Sequence, residues 1–112
     1  MAKDVDQTVS FDYDRPADVL QITFGTGEPS FSEEMDDHIV IDFGIYTGAP
    51  TGLQILHVKE VGINPRALYK RLAPVLLARK RETLEAMLSE REQMMKNAMD
   101  SLATRLKELV PA

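Results

Sequence analysis

The chain has 112 residues, a formal charge of −5 at neutral pH and no cysteine. The length is that of a single domain. The lack of cysteine excludes a disulfide framework, a thiol nucleophile and a thiolate metal site. No apolar run approaches the roughly 20 residues of a membrane helix, and the polar N-terminus differs from a secretory signal, so we expect a cytoplasmic protein without a membrane segment.

The acidic half of the chain predicts a small sheet. Apolar and polar side chains alternate along residues 8–13, 19–24 and 38–43, as in half-buried strands. Ser30–Met35 predicts a weaker strand, and Leu53–Val58, which is apolar on both faces, predicts a strand in a covered, central position. Connections of 3–9 residues fit antiparallel hairpins, so we expect a β-meander of about four to five strands. Its apolar face needs a cover.

The basic half predicts helices. Asn64 followed by Pro65 is typical of a helix start, with asparagine as the N-cap and proline in the first turn. Pro74 is expected to end or kink this helix, so we predict a short helix over about residues 65–72 and a long one over about residues 74–109. The predicted fold class is therefore α+β.

The division into halves is also a division of charge. Residues 1–63, the predicted acidic β-sheet module, carry 3 basic and 12 acidic side chains, a net charge of −9. Residues 64–112, the predicted basic helical arm, carry 10 basic and 6 acidic side chains, a net charge of +4. Opposite signs on the two parts indicate two different functional surfaces.

The long helix carries an apolar stripe with a spacing close to that of a coiled coil. A helix of 36 residues would be about 54 Å long, which exceeds the diameter of a domain this size. We therefore predict a homo-oligomer, a dimer or higher, or a complex with a protein partner, formed through this helix. The alternative is that the helix folds back onto its own sheet. The predicted interface consists of Leu77, Leu84, Leu88, Met95, Met99, Leu102, Leu106 and Leu109.

Side chains that could carry catalysis or hold a metal are sparse. The acids of residues 33–38 follow one another in sequence and so point in alternate directions, which favours a solvated turn over a cation site. His38 and His57 lack the spacing of a metal-binding pair. We expect no catalytic residue, no cofactor and no metal. An enzyme or metal protein that uses Asp36, Asp37, His38 or His57 is the least favoured alternative.

Four basic residues are candidates for contact with nucleic acid: Arg66, Lys70, Lys80 and Arg81. On an unbroken helix they would lie within about 100° of one another and could meet phosphates. Only one aromatic residue, Tyr69, lies in the basic half, so a stacking platform for single strands is lacking. The acidic half would also repel a nearby phosphate backbone. A helix face that is solvated, or that pairs with an acidic surface, is therefore favoured over nucleic-acid binding.

Three segments of the acidic half, residues 13–22 (YDRPADVLQI), 32–42 (SEEMDDHIVID) and 52–56 (GLQIL), carry a family resemblance. In this order and spacing they resemble the motifs of the family catalogued as domain of unknown function 2283. This sequence departs from the family pattern at Gln21, His38, Gln54 and residues 57–59. The resemblance implies a small β-rich module without established activity, and it carries no catalytic residue onto this chain. Some members look like companions of small toxin-like proteins, which implies an antitoxin-like or regulatory role as the alternative.

Together these observations predict a non-enzymatic interaction or regulatory module that acts through its C-terminal helix. An antitoxin-like or transcription-linked nucleic-acid-binding regulator is the second reading.

Overall fold

The structure, a computed structural model, describes residues 9–24, 27–78 and 85–110, with side chains described except at residues 76–78 and 85–88. Five strands precede three helices. The strands are β1 (Val9–Asp14), β2 (Val19–Phe24), β3 (Ser30–Glu34), β4 (Ile39–Gly44) and β5 (Pro50–Leu56), and the helices are α1 (Val58–Val61), α2 (Pro65–Ala78) and α3 (Glu85–Leu109). The predicted α+β class is confirmed.

The strands form one antiparallel sheet in the order β1-β2-β5-β4-β3. The order departs from a simple meander because β5 lies between β2 and β4, in the central position that its apolar residues on both faces favour. Gly52 permits this close pairing, since a Cβ at this position would lie 2.5 Å from the carbonyl oxygen of Ile22 on β2. β5 also begins at Pro50, three residues before the predicted start, and ends at Leu56, because His57 adopts a left-handed conformation with φ 57°.

One face of the sheet is covered by α2 and α3. The alternation of apolar residues places the inward side chains of the central strands in a continuous core, where they meet apolar side chains of the two helices. The most deeply buried members are Leu20, Ile22, Phe24, Ile41, Phe43 and Leu53 from the sheet and Leu72, Met95, Ala98 and Leu102 from the helices. The other face of the sheet presents polar side chains, among them the exposed Asp12 and Glu34.

α2 begins as predicted but does not end at Pro74. Asn64 caps the helix, because its Oδ1 accepts a hydrogen bond from the N–H of Ala67 at 3.1 Å. The helix continues through Pro74 to Ala78, so the predicted boundary at residue 72 is wrong. The proline removes one backbone hydrogen bond, but Leu68 and Leu72 are buried in the core and hold the helix against the sheet. The step from α2 to α3, residues 79–84, lies outside the described residues.

α3 has a kink at Arg105 (φ −120°, ψ 20°), so its 25 residues extend at most about 37 Å at 1.5 Å per residue, close to the 39 Å longest dimension of the molecule. The described helix is therefore no longer than the fold on which it lies, and it packs against α2, β1 and β5. Arg91, which interrupts the apolar spacing, is buried, and its Nη1 donates a hydrogen bond to the carbonyl oxygen of Pro50 at 2.7 Å. This contact ties α3 to the start of the central strand. Within the described ranges, no helix combines the length and apolarity needed to span a membrane.

Candidate functional site: a basic groove between two helices

The predicted interface stripe lies mostly in the chain's own core. Met95 and Leu102 have no exposed surface and Met99 is 4% exposed, while Leu106 and Leu109 are half-buried against the same core. The burial of these five side chains agrees with the alternative interpretation, in which the helix folds back onto its own sheet. Oligomerisation itself stays a prediction. The remaining members lie outside the described side chains, namely Leu77, Leu84 and Leu88.

With the apolar stripe turned inward, the outer face of α3 lies beside α2 and forms a basic groove. Arg66 and Lys70, one helical turn apart on α2, lie on one side, and Lys96 of α3 lies on the other. The groove has a volume of about 310 Å³. The half-buried Tyr69 and the buried Met99 contribute apolar surface to its lining. We call this feature the basic groove; its lining residues are Pro65, Arg66, Tyr69, Lys70, Lys96, Met99, Asp100 and Ala103.

The cations of the basic groove are exposed and unpaired within the described part of the chain. Arg66, Lys70 and Lys96 form none of the ion pairs found among the described residues. Among the described residues of the groove lining Asp100 is the one acidic side chain, so three positive charges and one negative charge give these residues a net charge of +2. Such a groove attracts anionic groups, and its apolar surface adds a place for uncharged side chains.

The structure brings together two of the four residues predicted to contact nucleic acid, Arg66 and Lys70. Lys80 and Arg81 lie outside the described residues. The sequence did not predict Lys96 as a member of this group, because its position beside α2 depends on how α3 packs. In the sequence, Lys96, Asp100 and Ala103 recur at a spacing that places them on one side of α3. Any solvated helix face has such a spacing, so it could not predict that these residues line a groove.

The residues considered for a catalytic or metal site, namely Asp36, Asp37, His38 and His57, lie around the β3–β4 turn and the end of β5. The Oδ1 of Asp36 accepts hydrogen bonds from the N–H groups of His38 (2.7 Å) and Ile39 (3.0 Å), and its Oδ2 pairs with Arg71 of α2. Asp37 is exposed. The rings of His38 and His57 meet edge to face, with centroids 5.7 Å apart. Within the described part of the chain, no three histidine, aspartate or glutamate side chains converge as metal ligands.

Asp18 joins the β1–β2 turn to the start of α1. Its carboxylate accepts a hydrogen bond from the hydroxyl of Tyr13 at 2.7 Å and from the N–H of Lys59 at 3.0 Å. The bond from Tyr13, together with the backbone bonds from Lys59 and Glu60, lowers the pKa of Asp18 although burial opposes the shift. The same bond to Asp18 raises the pKa of Tyr13.

Glu28 organises the β4–β5 loop in a similar way. It accepts hydrogen bonds from the N–H groups of Tyr46 (2.8 Å) and Thr47 (2.7 Å) and from the hydroxyl of Thr47 (2.9 Å). Burial raises the pKa of Glu28, but the bonds from Thr47 and Tyr46 and the charge of Arg91 outweigh it and lower the pKa. Asp18 and Glu28 thus hold loops in place. Part of the negative charge of the acidic half therefore has a structural role that requires no catalytic or metal-binding site.

Comparison with known proteins bears on the sheet and not on the basic groove. No curated protein and no solved structure matches the chain. The matching family model, described as "Protein of unknown function (DUF2283)", covers residues 10–59. That range runs from β1 to the start of α1 and ends before Pro65, where the groove begins. The sheet segment at residues 10–59 therefore matches the DUF2283 family, and the C-terminal helix lies outside that match.

Proposed function

We propose that this chain is a non-enzymatic interaction module that binds an acidic segment of a partner protein in the basic groove, through the outer face of its C-terminal helix. The observation that carries the proposal is the convergence of Arg66, Lys70 and Lys96 from two helices on one groove, unpaired within the described residues. Charges of one sign around a groove steer and select a partner of the opposite sign.

A protein segment fits the lining better than a simple anion does. Tyr69, Met99 and Ala103 add apolar surface between the cations, so a segment that alternates acidic and apolar side chains would satisfy both parts of the groove. Tyr69 is an aromatic residue of the type enriched where proteins meet. The positive charge of residues 64–112 favours an acidic partner, and the sheet of a second copy is one such acidic surface.

Nucleic acid is the second candidate, and the same three cations support it through contact with phosphates. Two features favour a protein over nucleic acid. Tyr69 is the one aromatic residue in residues 64–112, so successive bases would lack a row of rings on which to stack. The outer face of the sheet presents Asp12, Glu34 and Asp42, whose charge opposes an extended polyanion.

A binding assay with defined probes tests the proposal. The full ¹⁵N-labelled chain is titrated with a peptide of alternating glutamate and leucine, with the same peptide carrying glutamine for glutamate, and with a DNA duplex. We expect the acidic peptide to shift the amide signals of Arg66, Lys70 and Lys96 and the glutamine peptide to leave them unchanged.

Variants locate the contact. The double variant Lys70→Gln/Lys96→Gln should weaken binding of the acidic peptide about tenfold, the effect of removing two partly screened charge pairs. Lys107→Gln, a matched change at an exposed lysine of α3 outside the groove, should leave binding unchanged. An equal loss of affinity for the acidic peptide in the double variant and in Lys107→Gln would contradict the proposal. Steeply salt-dependent binding of the duplex together with no binding of the peptide would favour the nucleic-acid candidate instead. Sedimentation of the full chain at two concentrations distinguishes a second copy from a different acidic partner.

A further inference from the structure

The strand β3 lies at one edge of the sheet. Its five residues are all exposed, and among the described strands only β4 pairs with it. The strand at the other edge, β1, differs, since three of its six side chains are half-buried and α3 packs against it. An exposed edge strand carries a row of backbone N–H and C=O groups that can pair with an added strand.

A backbone hydrogen bond at the end of β3 shows which groups face outward. The N–H of Met35, the residue after the strand, donates to the carbonyl oxygen of Ile39 on β4 at 2.8 Å. Backbone groups alternate between the two sides of a strand, so the odd-numbered residues of β3 bond to β4. The N–H and C=O groups of Ser30, Ser32 and Glu34 therefore point away from the sheet.

Two carboxylates lie at this edge on the outer face of the sheet. The hydroxyl of Ser32 donates to Oδ1 of Asp42 at 2.6 Å, so Asp42 lies directly beside Ser32 on the same face. Glu34 lies on this face as well, since side chains alternate along a strand. Neither Asp42 nor Glu34 takes part in an ion pair with another described residue. The outer side of the edge thus presents negative charge that could pair with a cation.

A depression on the outer face gives room for a long side chain beside Asp42. It has a volume of about 460 Å³, and its lining includes Ser32, Asp42, Thr51 and Gln54. Gly52, opposite Asp42 on β5, contributes no side chain, which leaves this space open. Neighbouring strands lie about 4.8 Å apart, so a residue added opposite Ser32 would have its Cα about 10 Å from that of Asp42. A lysine or arginine side chain is long enough to cross the intervening strand and meet the carboxylate.

The inner side of the same edge exposes an aromatic ring. Phe31 packs against Phe43, with ring centroids 5.9 Å apart, but is still 40% exposed. An apolar side chain on an added strand would cover the exposed part of Phe31. The edge therefore favours a strand that places basic side chains on its outer face and apolar ones on its inner face.

We propose that the free edge of β3 binds an extended segment of a partner protein that alternates basic and apolar side chains. The segment adds to the sheet as an antiparallel strand and forms backbone hydrogen bonds with Ser30, Ser32 and Glu34. A basic residue opposite Ser32 pairs with Asp42 across the depression. The backbone bonds supply affinity, and the two faces of the edge select the side chains.

A second copy of β3 fits this edge less well than a basic segment does. β3 itself carries Glu33 and Glu34, and Asp37 lies in the turn that follows. Pairing two copies would bring like charges together, which destabilises a strand pair. The depression shares no residue with the basic groove, whose proposed partner is acidic. The two sites can therefore be tested independently.

Peptides test the mode of binding. The full ¹⁵N-labelled chain is titrated with the capped peptide Thr-Val-Lys-Val-Lys-Val-Thr, and we expect saturating amide shifts at Ser30, Ser32 and Glu34. In an antiparallel pair the lysine opposite Ser32 bonds to β3 through its own N–H and C=O. N-methylation of both lysines should therefore abolish binding, whereas N-methylation of the central valine should preserve it. Equal loss from the two modifications, or no saturating shift up to about 5 mM peptide, would overturn the proposal.

Side-chain changes test the charge. The peptide with glutamate for lysine should bind about tenfold more weakly or worse. Asp42→Asn, which keeps an acceptor for the hydroxyl of Ser32, should lower the affinity for the lysine peptide about threefold to fivefold. Asp12→Asn, the matched change at an exposed aspartate of β1, should leave the affinity unchanged. Unchanged affinity in Asp42→Asn, or an equal loss in Asp12→Asn, would overturn the proposal.

Ser32→Pro blocks the edge itself. It removes an outward N–H at a position where an edge strand tolerates proline, so we expect the lysine peptide to stop binding. Sedimentation of the wild type and of Ser32→Pro should give the same oligomeric state. A wild-type dimer that Ser32→Pro dissociates would assign the edge to a second copy and overturn the proposal. The N-methylated peptides carry the test if Ser32→Pro does not fold.

Discussion

Replacing Leu102 with alanine tests whether the apolar stripe of α3 belongs to the chain's own core. Leu102 is fully buried and lies in a cluster with Met95, Ala98 and Met99 of the same helix. Truncation of a buried leucine removes its transfer free energy and leaves a cavity, a combined cost of about 2–5 kcal/mol. The absence of any exposed surface at Leu102 places the expected loss at about 3–4 kcal/mol.

This loss is large against the total. A chain of 112 residues has a free energy of unfolding of about 6–17 kcal/mol at the usual contribution per residue. With a urea dependence of about 1.5–2 kcal/mol per molar, the midpoint of unfolding should fall by about 2 M. Glu92→Ala, a change at an exposed position of the same helix, should alter the free energy by less than about 0.5 kcal/mol.

The assay is urea unfolding followed by circular dichroism at two protein concentrations that differ a hundredfold. If Leu102 packs within one chain, the loss caused by Leu102→Ala is the same at both concentrations. If the stripe instead joins two copies, the wild-type free energy of unfolding rises by about 2.7 kcal/mol at the higher concentration, and the variant loses this dependence. The second result would refute the assignment of Leu102 to the chain's own core.

Two further predictions concern the sheet. Gly52→Ala should destabilise the fold by about 1–3 kcal/mol, because the added Cβ would lie 2.5 Å from the carbonyl oxygen of Ile22, between paired central strands. Thermal unfolding measures this loss, and a loss no larger than that of Ala17→Gly at an exposed position would contradict the prediction. Asp18→Asn should destabilise the chain at pH 6–7, where the carboxylate accepts bonds from Tyr13 and Lys59. The pKa of Asp18 is lowered in the folded state, so its stabilisation is complete above the unfolded pKa of about 4 and is lost as the pH falls through the folded value. The gap in stability between wild type and Asp18→Asn should therefore close below about pH 4, and a gap that widens in acid would contradict the reasoning.

Much of the local structure was determined by the sequence because its causes are local. The period-two alternation along residues 19–24 and 39–43 depends only on neighbouring residues, and the structure has strands there. The cap at Asn64 depends on the next three residues, and the structure has the predicted hydrogen bond. The β1–β2 turn has a local cause as well, since the Oδ1 of Asp14 accepts a hydrogen bond from the N–H of Ala17 at 3.3 Å.

Pro74 shows where local rules fail. A proline inside a helix removes one hydrogen bond, and this cost predicts a helix end. The burial of Leu68 and Leu72 on the sheet outweighs that cost, because most of a helix's stability in a folded protein comes from the packing of its apolar face. The predicted helix end was wrong here, because the energy that decides whether the helix continues past Pro74 comes from contacts distant in sequence.

The fate of the apolar stripe was also decided by tertiary structure. Its spacing requires a partner surface but does not say which one, since the chain's own sheet and a second helix offer the same kind of apolar contact. The sheet has an uncovered apolar face within reach in the same chain, and α3 covers it with Met95, Met99 and Leu102. An intramolecular partner is available at any concentration, which favours it over a second copy.

The sequence by itself determined an acidic sheet followed by basic helices, the strand positions and the start of α2, because each follows from periodicity, capping or charge over a few residues. Only the tertiary structure decided that β5 lies between β2 and β4, that Lys96 lies with Arg66 and Lys70 around one groove, and that Asp36 of the β3–β4 turn pairs with Arg71 of α2. These three arrangements join residues that are distant in sequence. They depend on which apolar surfaces cover one another, a choice made by the free energy of the whole core and not by any local pattern.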